Sequence, residues 1–386
     1  MLTACAGLFT FGVMTSFLGA TLPELSARLN LDLARAGALF SFLYLPQIPM
    51  VFLAGPLIDR LGKKPILIAG LLLCAAALMG IAYVPSYGLL AATLIALGLG
   101  GTLAMSASNT LIPDLYPENP SSALNLGGVF FGVGAIFFPS LVALMAARLG
   151  LVLTLWLIIL LVEVLALVAI LQAFPPASAG GGFDWSKAGR LAVNPAVIIL
   201  AFVLFFYSAL EISTAGWTRI FLQQDLFASA HSSQSILTMF WIAMMAGRLA
   251  ASQVVKRVPG PNLLLFAALG AVAGLLLVAT ARSVGVATLG ILICGLSYAP
   301  VFPTTAGTAS TYFRNLFATV FGILMAVGLS AGVILPPAIG YVAKKTSVRA
   351  GIWLLVAFAV LLTALQALFL AYERRRLLKS SQPSAA

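Results

Sequence analysis

The chain has 386 residues, of which 62% are hydrophobic and only 8% are charged, and its mean hydropathy is +1.11. A soluble domain carries about 25% charged residues, so this composition excludes a water-soluble fold. The net charge of +11 comes from cations scattered over short loops rather than clustered on one face, which argues against a nucleic-acid partner. We therefore expect an integral membrane protein whose surroundings are the lipid bilayer.

Long apolar runs predict twelve membrane spans. A helix needs about 20 apolar residues to cross a hydrocarbon core about 30 Å thick. Runs of that length, bounded by charged residues or by Pro, Gly or Asn, fall at 3–22, 36–58, 65–84, 87–112, 121–147, 149–174, 195–222, 233–255, 262–281, 284–311, 316–343 and 348–372. The first run lacks a basic leader and a small-residue cleavage site, so we interpret it as a retained span rather than a signal peptide.

A polar segment, 55–64, joins the second and third spans. Its distinctive residues are Gly55, Asp59, Arg60, Gly62, Lys63 and Lys64. A carboxylate is favourable at a helix N-terminus, so Asp59 is expected to contact a helix of the other half or to pair with Arg248 near the end of the eighth span. Such contacts would form a conformational latch. The alternative is a solvated charge cluster that only sets topology.

The stretch 175–194 is the longest weakly hydrophobic one and divides the chain into six spans and six spans. We predict an N-terminal six-helix bundle at 1–174, a cytoplasmic linker at 175–194, a C-terminal six-helix bundle at 195–374 and a cytoplasmic tail at 375–386. The segment 255–259 after the eighth span is a degenerate copy of 58–62, with Lys256 in place of the acid. This copy supports a repeated architecture.

The distribution of Lys and Arg predicts the orientation in the membrane. Loops on the side of the two termini hold an excess of cations, so the positive-inside rule places both termini in the cytoplasm of a multi-pass inner-membrane protein. Lys344 and Lys345 on the opposite side argue against this orientation. Cys5, Cys74 and Cys294 lie inside apolar runs and are interpreted as small embedded side chains rather than ligands or disulfide partners.

The segment 55–64 resembles the signature of the major facilitator superfamily, and the twelve spans with a central linker extend the resemblance over the whole chain. The resemblance implies an all-α integral membrane fold of twelve transmembrane helices in two pseudo-symmetric six-helix bundles. It also implies a substrate site near the midplane between them.

A finer resemblance is to the sugar-transporting branch that includes the fucose and glucose/mannose proton symporters. It is based on Asn109, 123–126, Glu211-Ile212-Ser213, Gly216-Trp217, Phe240-Trp241, Gly247-Arg248 and Pro300-Val301-Phe302-Pro303. The fucose symporter has acids in its first and fourth helices where this chain has Gly19 and Met105. This departure puts proton coupling by the same route in doubt.

Two acids lie deep within predicted spans, Glu163 and Glu211. An ionisable group at the bilayer centre costs about 2.5–3.5 kcal/mol on translocon scales, so it normally faces a cavity or a partner. Glu211 has polar neighbours, and its helix lines the central cavity in the superfamily. It is the candidate for substrate binding and for proton coupling, with a hydrogen-bonded structural carboxyl as the alternative. Glu163 has aliphatic neighbours and is interpreted as structural or lipid-adjacent.

Further amides and aromatic residues are candidates for substrate binding because they suit sugar hydroxyls and sugar C–H faces. Tyr44 and Gln47 are expected to share a helical face at i, i+3. The complete set is Tyr44, Gln47, Asn109, Asn125, Tyr207, Glu211, Trp217, Trp241 and Tyr298. Singly, each is as well suited to bonding another helix as to contacting a ligand.

The leading hypothesis is a secondary transporter for a small polar solute, a hexose-like sugar, acting by alternating access as a proton symporter or a uniporter. The alternative is a proton-coupled multidrug exporter for lipophilic cations, which a pocket rich in Phe and Met would favour over one rich in amides. The sequence has no metal-ligand cluster, nucleophile elbow or phosphate-binding loop, so we expect neither an enzyme nor a bound cofactor. We expect a monomer.

Overall fold

The computed structural model describes residues 2–115, 120–174, 185–255, 257–313 and 317–380. Fourteen helices lie in this part of the chain. They are α1 (Leu2–Leu29), α2 (Leu33–Tyr44), α3 (Gln47–Leu61), α4 (Lys63–Ala82), α5 (Tyr87–Leu115), α6 (Pro120–Leu171), α7 (Trp185–Ala192), α8 (Pro195–Asp225), α9 (Ala230–Val254), α10 (Gly260–Thr280), α11 (Val284–Tyr298), α12 (Val301–Tyr312), α13 (Phe317–Lys345) and α14 (Val348–Ser380).

The predicted spans are confirmed in outline. Eleven helical segments of the described chain are long and apolar enough to cross a membrane, and α9, with 25 residues, occupies the place of the predicted eighth span but is less apolar. The second and tenth spans are each broken into two helices, α2 with α3 and α11 with α12. The fifth and sixth spans form α6 and are separated at Gly150, whose φ of 77° favours glycine.

Short polar residues begin several helices. The side chains of Asp32, Asn194, Ser229 and Ser283 each accept a hydrogen bond from a backbone N–H in the first turn of the helix that follows. Such caps satisfy donors that a helix N-terminus leaves without a partner. They explain why helices restart directly after short loops on both sides of the bundle.

The helices form two halves with similar packing. In the first half, α1 packs against α5 and α6, and α4 packs against α5 and α6. In the second, α8 packs against α13 and α14, and α10 packs against α11 and α14. Glycines allow the closest approaches: a Cβ on Gly70 would lie 2.8 Å from the Gly100 carbonyl oxygen, and one on Gly274 would lie 2.8 Å from that of Gly290. Close backbone approach is typical of helix packing in lipid.

The main helix pairs that join the halves in the described chain are α1 with α8, α2 and α3 with α13, and α6 with α9. We call the side where α1 begins and α6 ends the terminus side, and the side where α1 ends and α2 begins the far side. The predicted linker is described only from Trp185, where α7 covers part of it, and 175–184 lie outside the described residues. The last helix continues to Ser380, beyond the predicted end of the second bundle at 374.

Candidate functional site

Glu211 is buried between the two halves, with 8% of its surface exposed. Tyr207, one turn earlier on α8, donates a hydrogen bond to its carboxylate. The carboxylate also interacts electrostatically with the phenols of Tyr44 on α2 and Tyr298 on α11. Since α2 belongs to the first half and α8 and α11 to the second, both halves contribute to the surroundings of this acid. The structure therefore brings together four of the predicted site residues.

Hydroxyl and aromatic groups surround this centre on the side of the second half. The Thr214 hydroxyl lies 3.1 Å from the Tyr298 hydroxyl. The Phe240 ring packs edge-on against the rings of both Tyr298 and Trp241, with centroid distances of 6.2 Å and 5.3 Å. The indole N–H of Trp241 is buried and has no hydrogen-bond partner among the described residues. These side chains offer hydroxyls and ring faces rather than the amides expected for a sugar site.

Arg248 lies beside this centre rather than in the terminus-side loops. Its Nη2 is 3.8 Å from Sδ of Met244, one turn back along α9, and its guanidinium lies over the Phe131 ring of α6 at 5.6 Å from the centroid. It also donates a hydrogen bond to the Tyr207 phenol and interacts electrostatically with Glu211. Arg248 is therefore a residue of the candidate site. Its predicted latch contact with Asp59 remains a prediction, because the Asp59 side chain lies outside the described residues.

The hydrogen bonding of the second span is interrupted between Tyr44 and Gln47, although Leu45 and Pro46 keep helical dihedral angles, so their shared face remains a prediction. Pro46 has no N–H, and α2 ends at Tyr44 while α3 begins at Gln47. The Gln47 side-chain Nε2 donates to the Leu43 carbonyl at 2.9 Å, and its Oε1 is buried without a partner. The amide nitrogen of Gln47 is thus bound to the backbone of the preceding turn, which is a structural contact.

The remaining predicted binding residues are spread more widely. Trp217 is fully buried, but it packs near Gly340 on the far side, about 9 Å along α8 from Glu211. Asn109 is partly buried on α5, and the Asn125 side chain lies outside the described residues. Glu163 is exposed on the outer surface of α6, as a lipid-adjacent role requires. Within the described residues, no group of three His, Cys, Asp or Glu side chains could hold a metal ion.

Lys63 and Lys64 of segment 55–64 form contacts within the first half. Lys63 forms an ion pair with Asp114 at the end of α5. Lys64 Nζ donates to the carbonyls of Ile170 and Gln172 at the end of α6, each at 2.7 Å. Cations near helix C-termini are favourable because orphan carbonyls carry partial negative charge. These contacts fix the terminus-side ends of three helices of one half to each other.

On the far side, two ion pairs join the halves. Arg219 on α8 is 1% exposed and donates to both carboxylate oxygens of Glu24 on α1, at 2.6 Å and 2.7 Å, and to the Ala20 carbonyl. Lys344 at the end of α13 donates to Asp32 at 2.8 Å. The Lys344 hydrogen bond, together with the bond from the Arg35 backbone N–H, lowers the pKa of Asp32 below its usual value.

Close backbone contacts reinforce the far-side closure. A Cβ on Gly19 would lie 2.4 Å from the Ala215 carbonyl oxygen, one on Gly37 would lie 2.8 Å from that of Pro336, and one on Gly340 would lie 2.3 Å from that of Leu33. On the terminus side, the described residues of α5 and α12 show no extended packing against each other. The halves therefore meet tightly on the far side and diverge between these two helices.

Sequence reasoning missed both inter-half ion pairs. The first predicted span, 3–22, ends before Glu24 and Asp32, and nothing in the sequence pairs either acid with Arg219 or Lys344. The one available signal was an acid placed directly after an apolar run. An arginine 195 positions later in the chain cannot be assigned to that acid without knowing how α1 and α8 pack.

The sequence profile of the Major Facilitator Superfamily matches residues 4–336. The chain is 25% identical over 248 residues to the TsgA homolog of Buchnera aphidicola, covering 64% of this chain and 63% of that protein. It is 29% identical over 285 residues to the uncharacterized MFS-type transporter YhhS of Escherichia coli, covering 69% and 66%. The matched segment thus spans just under two thirds of the length of these two relatives.

A third relative is matched over nearly its full length: the uncharacterized MFS-type transporter YfkL of Bacillus subtilis is 23% identical over 378 residues, covering 96% of this chain and 95% of that protein. Among solved structures, the D-xylose-proton symporter aligns with a TM-score of 0.81 at 16% identity, covering 95% and 96% of the two chains. The nucleoside transporter NupG gives 0.80 at 18%, covering 95% and 98%. The Escherichia coli fucose:proton symporter FucP gives 0.67 at 20%, covering 95% and 97%. At these identities the likeness shows a common fold.

Proposed function

The chain belongs to the Major Facilitator Superfamily, a family of membrane transporters rather than enzymes, and we propose that it moves a small hydroxylated solute, a hexose-like sugar, across the inner membrane. Transport would proceed by alternating access, with the two halves rocking about a midplane site. With both termini in the cytoplasm, the closed far side would be periplasmic. The conformation described here would then be an inward-facing one.

The observation that carries this proposal is the buried carboxylate of Glu211, surrounded by phenols from both halves. A buried acid in a membrane protein normally serves a substrate or ion pathway, because its burial is costly. The hydroxyls of Tyr44, Tyr207 and Tyr298 can donate to and accept from a polyhydroxylated ligand, and the Trp241 indole N–H is a free donor. Solved relatives of this fold include symporters for D-xylose and fucose.

Export of lipophilic cations is the second candidate, because aromatic rings and Met244 lie near Glu211 and would suit an apolar ligand. Arg248 opposes this candidate. Its fixed positive charge interacts with the same carboxylate that a cationic substrate would need. A cation would therefore face repulsion from Arg248 in a region of low dielectric constant.

A thermal-shift screen of the purified protein tests the proposal. We expect monosaccharides such as galactose, glucose and fucose, or their close derivatives, to raise the unfolding temperature in a saturable way, since a ligand that binds only the folded state stabilises it by mass action. Tetraphenylphosphonium is the probe for the second candidate. Stabilisation by this cation alone would reject the sugar proposal and support the exporter.

Proton coupling through Glu211 is part of the proposal and has its own test. In proteoliposomes with an imposed proton gradient, we expect Glu211→Gln to abolish the stimulation of uptake by the gradient, because the amide holds no exchangeable charge. Counterflow of the same solute without a gradient should persist and serves as the control for folding. Gradient-driven uptake that survives in Glu211→Gln would remove Glu211 from the coupling mechanism.

A further inference from the structure

Arg248 carries a positive charge at the centre of the protein without a carboxylate in direct contact. Among the described side chains, no carboxylate oxygen lies within ion-pair distance of its guanidinium, and its Nε is buried without any hydrogen-bond partner. Its partners are the Tyr207 phenol, the Met244 sulfur and the face of Phe131. None of these carries a negative charge. The guanidinium thus has no negatively charged partner in direct contact among the described residues.

Arg219 provides an internal comparison on the neighbouring helix. Both of its terminal nitrogens bind the Glu24 carboxylate, at 2.6 Å and 2.7 Å, so its charge is neutralised within the protein. An arginine fork matches a carboxylate in two parallel hydrogen bonds, which are about twice as strong as neutral ones. Arg248 has the same donors in a site that both halves line, and no such carboxylate among its described neighbours.

We propose that Arg248 binds a carboxylate of the transported solute, so that the substrate is a sugar acid, a hexuronate or an aldonate, rather than a neutral sugar. This inference rests on the proposed function, in which hydroxyls of the solute bind the phenols around Glu211. The carboxylate of the solute would accept hydrogen bonds from the terminal nitrogens of Arg248. Entry from the terminus side is consistent with the divergence of α5 and α12.

Tyr207 connects this carboxylate site to Glu211. Its phenol contacts both Arg248 and Glu211, which interact electrostatically across it. The Glu211 carboxylate partly compensates the charge of Arg248. A solute carboxylate on Arg248 would replace this compensation and place a second negative charge near Glu211, which favours protonation of Glu211. Binding of one acid anion would thus be accompanied by uptake of one proton, and the loaded site would keep the charge of the empty one.

Matched ligand pairs that differ in the carboxylate test this inference. Thermal shift of the purified wild type would compare sodium galacturonate with galactose, and sodium gluconate with glucitol, with sodium chloride as the ionic control. We expect the two acids to bind about tenfold or more tightly than their neutral counterparts, as a charge-assisted hydrogen-bonded pair requires. Galacturonate should also raise the pH of a weakly buffered protein solution, and this proton uptake should vanish in Glu211→Gln.

Substitutions of Arg248 test whether this residue causes the preference for acids over neutral sugars. Arg248→Gln should lose the preference for the acids, and Arg248→Lys should retain part of it because lysine keeps the charge but not the fork. Arg257→Gln is the matched control, since Arg257 is an exposed arginine beyond the end of α9. If Arg248→Gln does not fold, the wild-type ligand pairs and the proton uptake still decide the outcome.

Each outcome separates the inference from the proposed function. Equal or tighter binding of neutral sugars would overturn the carboxylate site and leave the sugar transporter standing. A shift of the same size with chloride would overturn it in favour of a general anion site. If neither acids nor sugars bind and tetraphenylphosphonium does, both the inference and the proposed function fail.

Discussion

Several cations on the far side have partners within the protein. Arg28 donates to the Ala82 carbonyl at 2.7 Å, at the end of α4, and Arg349 donates to the carbonyls of Ala279 and Ala281 at the end of α10. Both arginines therefore satisfy carbonyls that a helix C-terminus leaves free. Lys344 is held by Asp32 in the same region. These cations have structural roles, so their number on the far side weighs less against the predicted orientation than sequence counting suggests.

The Asp32–Lys344 pair gives a pH dependence whose sign follows from the lowered pKa of Asp32. A carboxyl with a lowered pKa in the folded state contributes stability above its ordinary value, about 3.9, and loses it as the pH falls through the lowered one. We therefore expect Asp32→Asn to lower the unfolding temperature slightly at pH 7. The difference in unfolding temperature between the variant and the wild type should disappear in strong acid. Thermal unfolding of both proteins across this range measures it.

The substitution by asparagine isolates the charge, because asparagine also caps helices and can replace Asp32 at the start of α2. If the difference in unfolding temperature between the two proteins stays constant down to strong acid, the substitution has altered the helix cap rather than the ion pair. A wild type that loses stability between pH 7 and pH 5 through Asp32 would contradict the direction of its pKa shift.

At the residue scale, sequence reasoning found Glu211 because a lone acid in an apolar run is unusual in any membrane helix. It also found the tyrosines that face Glu211. It did not predict the contacts of Gln47 and Arg248, since both depend on local geometry: a side-chain amide that binds the Leu43 carbonyl, and a guanidinium that reaches back along α9 to Met244. Neither contact is encoded in residue spacing alone.

At the element scale, two spans break at the same dipeptide pattern. Tyr44 is followed by Leu45-Pro46 at the end of α2, and Tyr298 by Ala299-Pro300 at the end of α11. Proline removes a backbone donor and permits a kink, so each far-side half-helix ends with a tyrosine directed to Glu211. The sequence alone does not predict that both breaks place a phenol near the same carboxylate.

Gly37 allows α2 to lie directly against α13. A Cβ there would lie 2.8 Å from the Pro336 carbonyl oxygen and 3.2 Å from the Gly340 Cα, and backbone atoms cannot move aside as a flexible side chain can. We expect Gly37→Ala to open the far side and to raise severalfold the labelling rate of a cysteine introduced at Ser41, one turn further along α2. A membrane-impermeant maleimide added from the far side measures this rate.

Gly128→Ala is the matched control, because a Cβ at that position in α6 meets nothing within 4 Å. The three native cysteines are buried and should contribute little background labelling. Equal labelling in Gly37→Ala and Gly128→Ala would show that α2 and α13 adjust to the extra methyl group without opening.

At the scale of the whole molecule, composition and span counting were sufficient for the fold. Twelve predicted helices and two halves are confirmed, because the demand for internally satisfied backbone groups in lipid leaves few alternatives. The conformational state, meaning which side of the transporter is closed, was not predictable from the sequence. Contacts such as Arg219 with Glu24 join residues from different halves, and their formation depends on which side is closed.

The orientation of the whole chain remains a prediction from its loop charges. We expect a fluorescent protein that matures only in the cytoplasm to be bright when fused after residue 386, and alkaline phosphatase at the same position to be inactive. The reciprocal fusions after Ser283, between α10 and α11, serve as the control. Active phosphatase at the C-terminus would reverse the orientation, and the closed side would then be cytoplasmic.

The two ion pairs between the halves also bear on how the chain is made. Glu24 and Asp32 enter the membrane at the start of synthesis, but their partners Arg219 and Lys344 are translated almost 200 and more than 300 residues later. Until then, the nascent first half exposes two carboxylates on its far side with no cation of the second half to meet them. Far-side closure is therefore among the last steps of assembly. A chain interrupted before α8 would leave an inserted first bundle in which neither carboxylate has its partner.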